Sequence, residues 1–189
     1  MRNPVQIITN REDFRPLVTP EDVKTMCPIS ANIHDVELIP SIMRAEELVI
    51  AEVLSTPLYT KLRDEWVLAN YNPANIRDNT QSPDGVNYKA LYEQVYKPLI
   101  WHAFARFVPE IAIKVTEKGI MLNNSDYSEN GALPLVKELE YRYRSEAGTY
   151  TERLISYIKE TFKDDTTVKP KDEGGYHSPF YFKHKPKCK

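Results

Sequence analysis

Between Asn87 and Leu122 the chain carries its densest apolar pattern, and the period of that pattern changes part-way along. From Tyr88 onward, Tyr88, Leu91, Tyr92, Val95, Leu99 and Ala103 step by three and four, which is one face of a period of about 3.6 residues. Tyr96, Ile100, Trp101, Phe104 and Val108 cover the opposite side, so the last turns are apolar most of the way round, as in a helix packed by neighbours on several sides. The spacing predicts a central helix that is kinked or briefly broken at Pro98, where a backbone donor is lost and the ring meets the carbonyl four residues back, and that ends at Pro109. Beyond Pro109 the pattern alternates: Ile111, Ile113 and Val115 point one way, Ala112, Lys114 and Thr116 the other. Gly119 completes the polar run Thr116-Glu117-Lys118-Gly119, and Ile120-Met121-Leu122 returns, which predicts a hairpin over 111–122. Two short strands are marginal alone and need a helix or another subunit over them.

The pattern elsewhere is also mostly helical. Thr19-Pro20-Glu21-Asp22 has the hydroxyl cap, first-position proline and acidic first turn of a short helix closed by Pro28, within a first thirty residues that otherwise read as an extended arm. Ile39, Ile42, Met43, Val49, Ile50, Val53 and Leu54 predict an amphipathic helix over about 32–55, with Pro40 near its start or kinking it. Thr56-Pro57 restarts the chain, and Leu58, Tyr59, Leu62 and Trp66 form the inward face of the next helix, with Lys61, Arg63 and Asp64 facing away. Residues 70–86 show no period and predict a long loop, a kind that is either functional or disordered. After a second polar loop over 123–131, Pro134 opens a helix of about 30 residues, roughly 45 Å long. Its seam, Val136, Leu139, Tyr143, Ala147, Tyr150, Leu154, Tyr157 and Thr161, packs either in the chain's own bundle or in part against another subunit, and Glu138–Arg142 and Glu140–Arg144 are favourable i,i+4 pairs. The predicted fold is thus mainly α: an N-terminal arm over 1–31, a bundle of about four helices over 32–163 with the small β-hairpin, and an extended tail over 164–189.

Composition narrows the function. The 189 residues are 41% apolar, enough for one domain with a core, and no segment approaches the length of apolar sequence that spans a bilayer. The start lacks the apolar run of a signal peptide, so a soluble, non-exported chain is expected. Cys27 and Cys188 make no disulfide framework and no CxxC site. Lys plus Arg number 25 against 27 Asp plus Glu, a net charge of −2, so any contact with DNA is local or weak. Gly174-Gly175, the only glycine pair, has neither a strand before it nor GK[ST] after it, which excludes the common phosphate cradles.

Candidate chemistry is sparse. His34, His102, His177 and His184 have no partners at catalytic spacing, and His177, His184 and Cys188 lie in a proline-broken tail that lacks a fourth zinc ligand. His102, on the central helix, reads as a hydrogen-bonded core histidine. Glu46 falls on the apolar stripe between Met43 and Val49; a buried carboxylate needs a partner, and Arg106 or His102 is the basic group expected to form a buried structural pair with it. No GxSxG, HExxH or HxE/CxxC pattern occurs, so no enzyme, metal or cofactor is expected. From Tyr176 the tail has four Lys and no acid, with Tyr176, Phe180, Tyr181 and Phe182 in seven positions. That composition suits a segment that orders on a partner, plain disorder, or nucleic-acid contact by stacking and charge.

Two stretches, RAEELVIAEVLSTPLYTKL from Arg44 to Leu62 and YKPLIWHAFARFVPEIAIKVTEKGIML from Tyr96 to Leu122, carry a resemblance. They resemble the head-to-tail connector proteins of tailed bacteriophages, the neck adaptor or ring proteins, most closely those of phages infecting gut Bacteroides-type bacteria, including crAss-like phages. The matching features are Ala45-Glu46, the Leu58-Tyr59 opening, the bulky helix ending near Pro109 and the turn Lys114-x-Thr116-x-x-Gly119; the likeness covers roughly Ile33 to Lys163. It implies a virion protein of the neck, made in the host cytoplasm, which assembles as a ring, usually a dodecamer, between the portal protein and further neck or tail ring proteins. DNA would pass through its lumen without sequence-specific binding, which the mildly acidic balance suits. It further implies that Tyr176, Phe180, Tyr181, Phe182, Lys183 and Lys185 dock on the portal, and that Lys114, Thr116 and Gly119 of the hairpin contact a neighbouring subunit. A nucleic-acid-binding accessory protein using the basic aromatic tail is the alternative.

Overall fold

Helix α5, Tyr88–Ala112, is the axis of the computed structural model, which describes residues 15–30, 32–116, 119–122 and 132–162. Tyr88, Leu91, Tyr92, Val95, Leu99, Ile100, Ala103, Phe104, Phe107 and Val108 are all buried, because α5 is covered on several sides. Its principal neighbours are α6 (Ala132–Thr161) and α2 (Asp35–Ala45), with contributions from α1 (Pro20–Met26) and α4 (Thr56–Leu68). Among the described residues the regular structure is helical but for one antiparallel pair, β1 (Ile113–Thr116) and β2 (Gly119–Leu122), in which Ile113 faces Leu122 and Thr116 faces Gly119. Residues 117–118 and the loop over 123–131 lie outside the described residues.

The prolines interrupt less than their chemistry predicts. α5 runs unbroken through Pro98 and passes Pro109 by three residues before β1 begins, so helix and not strand holds Ile111. Each proline forfeits one backbone bond. At Pro109 the loss is offset by the next residue, since the Glu110 carboxylate accepts from Ser41 Oγ at 2.9 Å and from Arg44 Nη1 at 2.6 Å, which ties the end of α5 to α2. The pattern predicted over 32–55 resolves into three continuous pieces: α2, a π-helical turn at Glu46–Ile50, and α3 (Ala51–Leu54). Ser55, at φ 63°, then makes a sharp break, and Thr56-Pro57 starts α4. Leu58, Leu62 and Trp66 of α4 are buried, and Trp66 stacks on Tyr92 at 5.4 Å between ring centroids.

Two sequence expectations need correction. Residues from Arg15 to Cys27 are not a free arm: Leu17, Val18 and Val23 are wholly buried in the core. α1 in this segment is capped as expected, with Thr19 Oγ1 accepting from the Asp22 amide at 3.2 Å and the Thr19 amide donating to the Asp22 carboxylate at 2.7 Å. The second correction is confined to the end of the α6 seam: Ala147 and Leu154 are buried and Val136, Leu139, Tyr143 and Tyr157 pack partly buried against the core as the spacing predicts, but Thr161 is exposed, and Thr151 and Ile158 are buried as well. Tyr150 turns to the flank, where its ring lies stacked with Trp101 and beneath Arg153. Glu140 and Arg144 form the predicted pair at 2.6 Å.

Loop 70–86 is folded by its own polar groups. Arg77 makes a forked ion pair with the Glu65 carboxylate, and Asp84 accepts from Ser82 Oγ and Tyr88 Oη, so the loop fastens the end of α4 to the start of α5.

Candidate functional site

The most polar buried point of the bundle is Glu46, on the stripe where the sequence places it and at the first position of the π-helical turn. Its side chain is wholly inaccessible. One carboxylate oxygen accepts from the Leu17 amide at 2.8 Å; the other accepts from Tyr59 Oη at 2.9 Å and from Arg63 Nη1 at 3.2 Å. The basic partner is therefore Arg63 of α4, where the sequence pattern named Arg106 or His102. Arg63 also donates to the Arg15 carbonyl at 2.7 Å, and Tyr92 Oη donates to the Leu17 carbonyl at 2.9 Å. The group works as a clasp: Glu46, Arg63 and Tyr92, from three helical segments, bond the Leu17 amide and the Arg15 and Leu17 carbonyls of a strap at Arg15–Val18 that has no sheet or helix to satisfy them, and Tyr59 holds the Glu46 carboxylate. Burial pushes the Glu46 carboxyl above its ordinary value, against the pull of Arg63, the Leu17 amide and Tyr59. Burial likewise raises the Tyr59 hydroxyl, with the Glu46 charge adding to it. Enclosed on every side, the carboxylate has no room for a substrate, and its chemistry is structural.

Arg106 instead belongs to the surroundings of His102. Burial, then the charges of Arg106 and Arg144, push the His102 imidazole down to about 4. Its Nε2 lies 2.9 Å from Thr151 Oγ1, and since that hydroxyl gives its proton to the Ala147 carbonyl, the ring nitrogen is the donor. His102 thus links α5 to α6 as a neutral core histidine. Cys27 is buried and its thiol is pushed up to about 12 by desolvation and the Glu146 charge, which leaves it inert as a nucleophile or ligand.

Of the contact residues named from the sequence, those of the hairpin lie among the described residues. Lys114 and Thr116 lie on β1 and Gly119 on β2, with Lys114 opposite Met121 and Thr116 opposite Gly119. Tyr176, Phe180, Tyr181, Phe182, Lys183 and Lys185 lie outside the described residues. Among the described residues no group of three His, Cys, Asp or Glu side chains could hold a metal ion, and no helix is long and apolar enough to cross a membrane. Arg63 and Tyr59 are the site residues that the pattern missed. Arg63 stands among Lys61 and Asp64 on the polar side of α4, and only the position of α4 beside the strap turns it inward.

Residues 50–172, well over half of the chain, match a family described as a family of unknown function, DUF6712. The chain belongs to the DUF6712 family. No curated protein and no solved structure matches it. The DUF6712 match takes in α3, α4, α5, the paired strands and α6, and it begins within the π-helical turn, so Arg63 and Tyr59 lie inside the family region while Glu46 and the strap lie before it.

Proposed function

We propose that this chain is a structural subunit of a bacteriophage neck, forming an adaptor ring between the portal and the tail and leaving a channel through which DNA passes. The observation that carries the reading is the resemblance of Arg44–Leu62 and Tyr96–Leu122 to neck adaptor proteins, joined to the fact that these two stretches pack together in one bundle. The Ser41–Glu110 and Arg44–Glu110 contacts link their elements directly. In this reading the hairpin with Lys114, Thr116 and Gly119 contacts the neighbouring subunit, where a two-stranded ribbon gains the cover it lacks alone. The basic aromatic tail, through Tyr176, Phe180, Tyr181, Phe182, Lys183 and Lys185, docks on the portal protein by its rings or by adding a strand to a sheet edge. The role has no catalytic step and calls for no cofactor. The chain's slight negative charge supports a lumen that does not hold DNA.

The test is the mass in solution, by light scattering, of the portal protein encoded in the same genome mixed with the full chain or with a chain lacking Tyr176–Lys189. A stoichiometric complex with the full chain and none with the truncated one is the expected result. A complex that survives truncation refutes the tail's role. No complex in either case, with steeply salt-dependent DNA binding that disappears with the tail, would replace the adaptor reading by a nucleic-acid accessory.

A further inference from the structure

A single residue, Ser55, separates α3 from α4 and makes the elbow between them. It sits at φ 63° and ψ 153°, backbone that is essentially reserved to glycine and that persists only where the surroundings hold it. Ser55 occupies the N-cap position of α4, where a serine hydroxyl normally accepts from an amide of the first turn. Pro57 has no amide, so the amide in reach is that of Leu58, the third helical residue and one of the four that a helix leaves without an internal partner. Thr19 shows the ordinary arrangement on α1: at φ −94° and ψ 160° its hydroxyl accepts from the third amide, that of Asp22. Ser55 makes no such cap bond. Its hydroxyl is buried and has no hydrogen-bond partner among the described residues. Backbone strain, a missing cap and an orphaned hydroxyl thus coincide at one position, and each of them costs stability.

The clasp spans this elbow. Glu46 lies on the π-helical turn before Ser55, and Tyr59 and Arg63 lie on α4 after it, yet one carboxylate oxygen takes both, at 2.9 and 3.2 Å. The strap ties the same two sides a second time, through the Leu17 amide to Glu46 and the Arg15 carbonyl to Arg63. We propose that the Arg15–Val18 strap is a lock on the Ser55 elbow. With the strap docked, α4 is drawn to the π-helical turn and Ser55 is held strained and uncapped. With the strap undocked, Ser55 relaxes to extended backbone and its hydroxyl caps the Leu58 amide. The first turns of α4 then move away from Glu46, while the Trp66–Tyr92 stack keeps the far end of the helix on α5. A partner that takes up Leu17 and Val18 acts on α4 through its preference for the undocked state. The lock does not depend on a role for the chain in a phage neck.

The experiment is urea unfolding of Ser55→Gly and Ser55→Ala, each made in the full chain and in a full chain carrying Leu17→Asp, which puts a charge at a wholly buried position and expels the strap. Fast amide exchange at position 17 establishes that the strap has left. Glycine relieves the strain and should raise the folding equilibrium constant of the docked chain about fivefold. Alanine removes a hydroxyl that caps nothing in the docked chain and should leave its stability unchanged or slightly higher. With Leu17→Asp the same alanine removes a formed cap and should lower the constant about fivefold. Proton NMR gives a second readout: the close approach of the Ser55 amide proton to its own α proton, a mark of positive φ, should disappear with Leu17→Asp, and exchange at the Leu58 amide should slow. Where Leu17→Asp does not fold, Leu17→Ala loosens the strap without burying a charge and the same comparisons apply. An alanine effect of equal size in both backgrounds overturns the lock. So does a glycine variant no more stable than the docked wild type, or Ser55 still at positive φ in a folded chain whose strap has left.

Discussion

Replacing Glu46 by alanine removes the one acceptor shared by the Leu17 amide, Tyr59 Oη and Arg63 Nη1. The Leu17 amide has no route to water and is left unsatisfied, at about 1–3 kcal/mol. Arg63, only 14% exposed, loses the Glu46 carboxylate and keeps, among its partners, the Arg15 carbonyl. Tyr59 is half-buried and recovers part of its bond from solvent. Taking one member out of a buried pair costs about 3–5 kcal/mol, a large share of the roughly 5–15 kcal/mol that holds a domain folded. Glu46→Gln behaves differently. It keeps a carbonyl acceptor, and burial already disfavours the charge, so its cost is about 1 kcal/mol. The sign of the pH effect follows from the raised Glu46 carboxyl. The folded state holds that proton more tightly than the unfolded chain, so the stability of wild type relative to Glu46→Gln should rise as pH falls through the ordinary carboxylate range and be lost as pH rises through the raised value. Urea unfolding of the three proteins measures the differences, and amide exchange at Leu17 and along α1 locates them. Equal costs for alanine and glutamine, or an alanine cost below about 1 kcal/mol with Leu17 still protected, would refute the clasp.

The end of the α6 seam is tested by truncating its side chains: Ile158→Ala should cost about 2–5 kcal/mol in urea unfolding, and Thr161→Ala less than about 0.5 kcal/mol. His102 has an unfolded value of 6.5 and is held down to about 4 in the fold, so acidification through that window protonates the unfolded chain first and lowers stability. The urea midpoint should fall more steeply with decreasing pH for wild type than for His102→Gln. In a Cys188→Ser chain, Cys27 should resist a thiol-directed disulfide reagent at pH 8 while folded and react at once in denaturant, because its thiol is buried and held up to about 12; prompt reaction of the folded chain would place it at an accessible surface.

The sequence by itself determined the elements whose cause is local. The stripes of α5 and the face of α4 repeat every three or four residues, and a helix must bury such a stripe whatever covers it. The Thr19–Asp22 cap is likewise written within four residues, and the Glu140–Arg144 pair within one turn. The carboxylate of Glu46 on an apolar stripe announced a buried partner, since a buried charge demands one. Which partner it was could not be read locally: Leu17 lies 29 residues from Glu46, Arg15 lies 48 from Arg63, and Leu17 lies 75 from Tyr92. Only the packing of α4 and α5 beside the strap brings these groups together, and the same packing turns an apparently free arm into core. Along α6 most of the seam was legible in the spacing, and packing decided only its end, where Thr151 and Ile158 are buried and Thr161 is exposed. Past Pro109 the competition lay between the proline's lost bond and the Ser41 and Arg44 contacts of Glu110, groups 69 and 66 residues away, and tertiary contacts settled it in favour of helix.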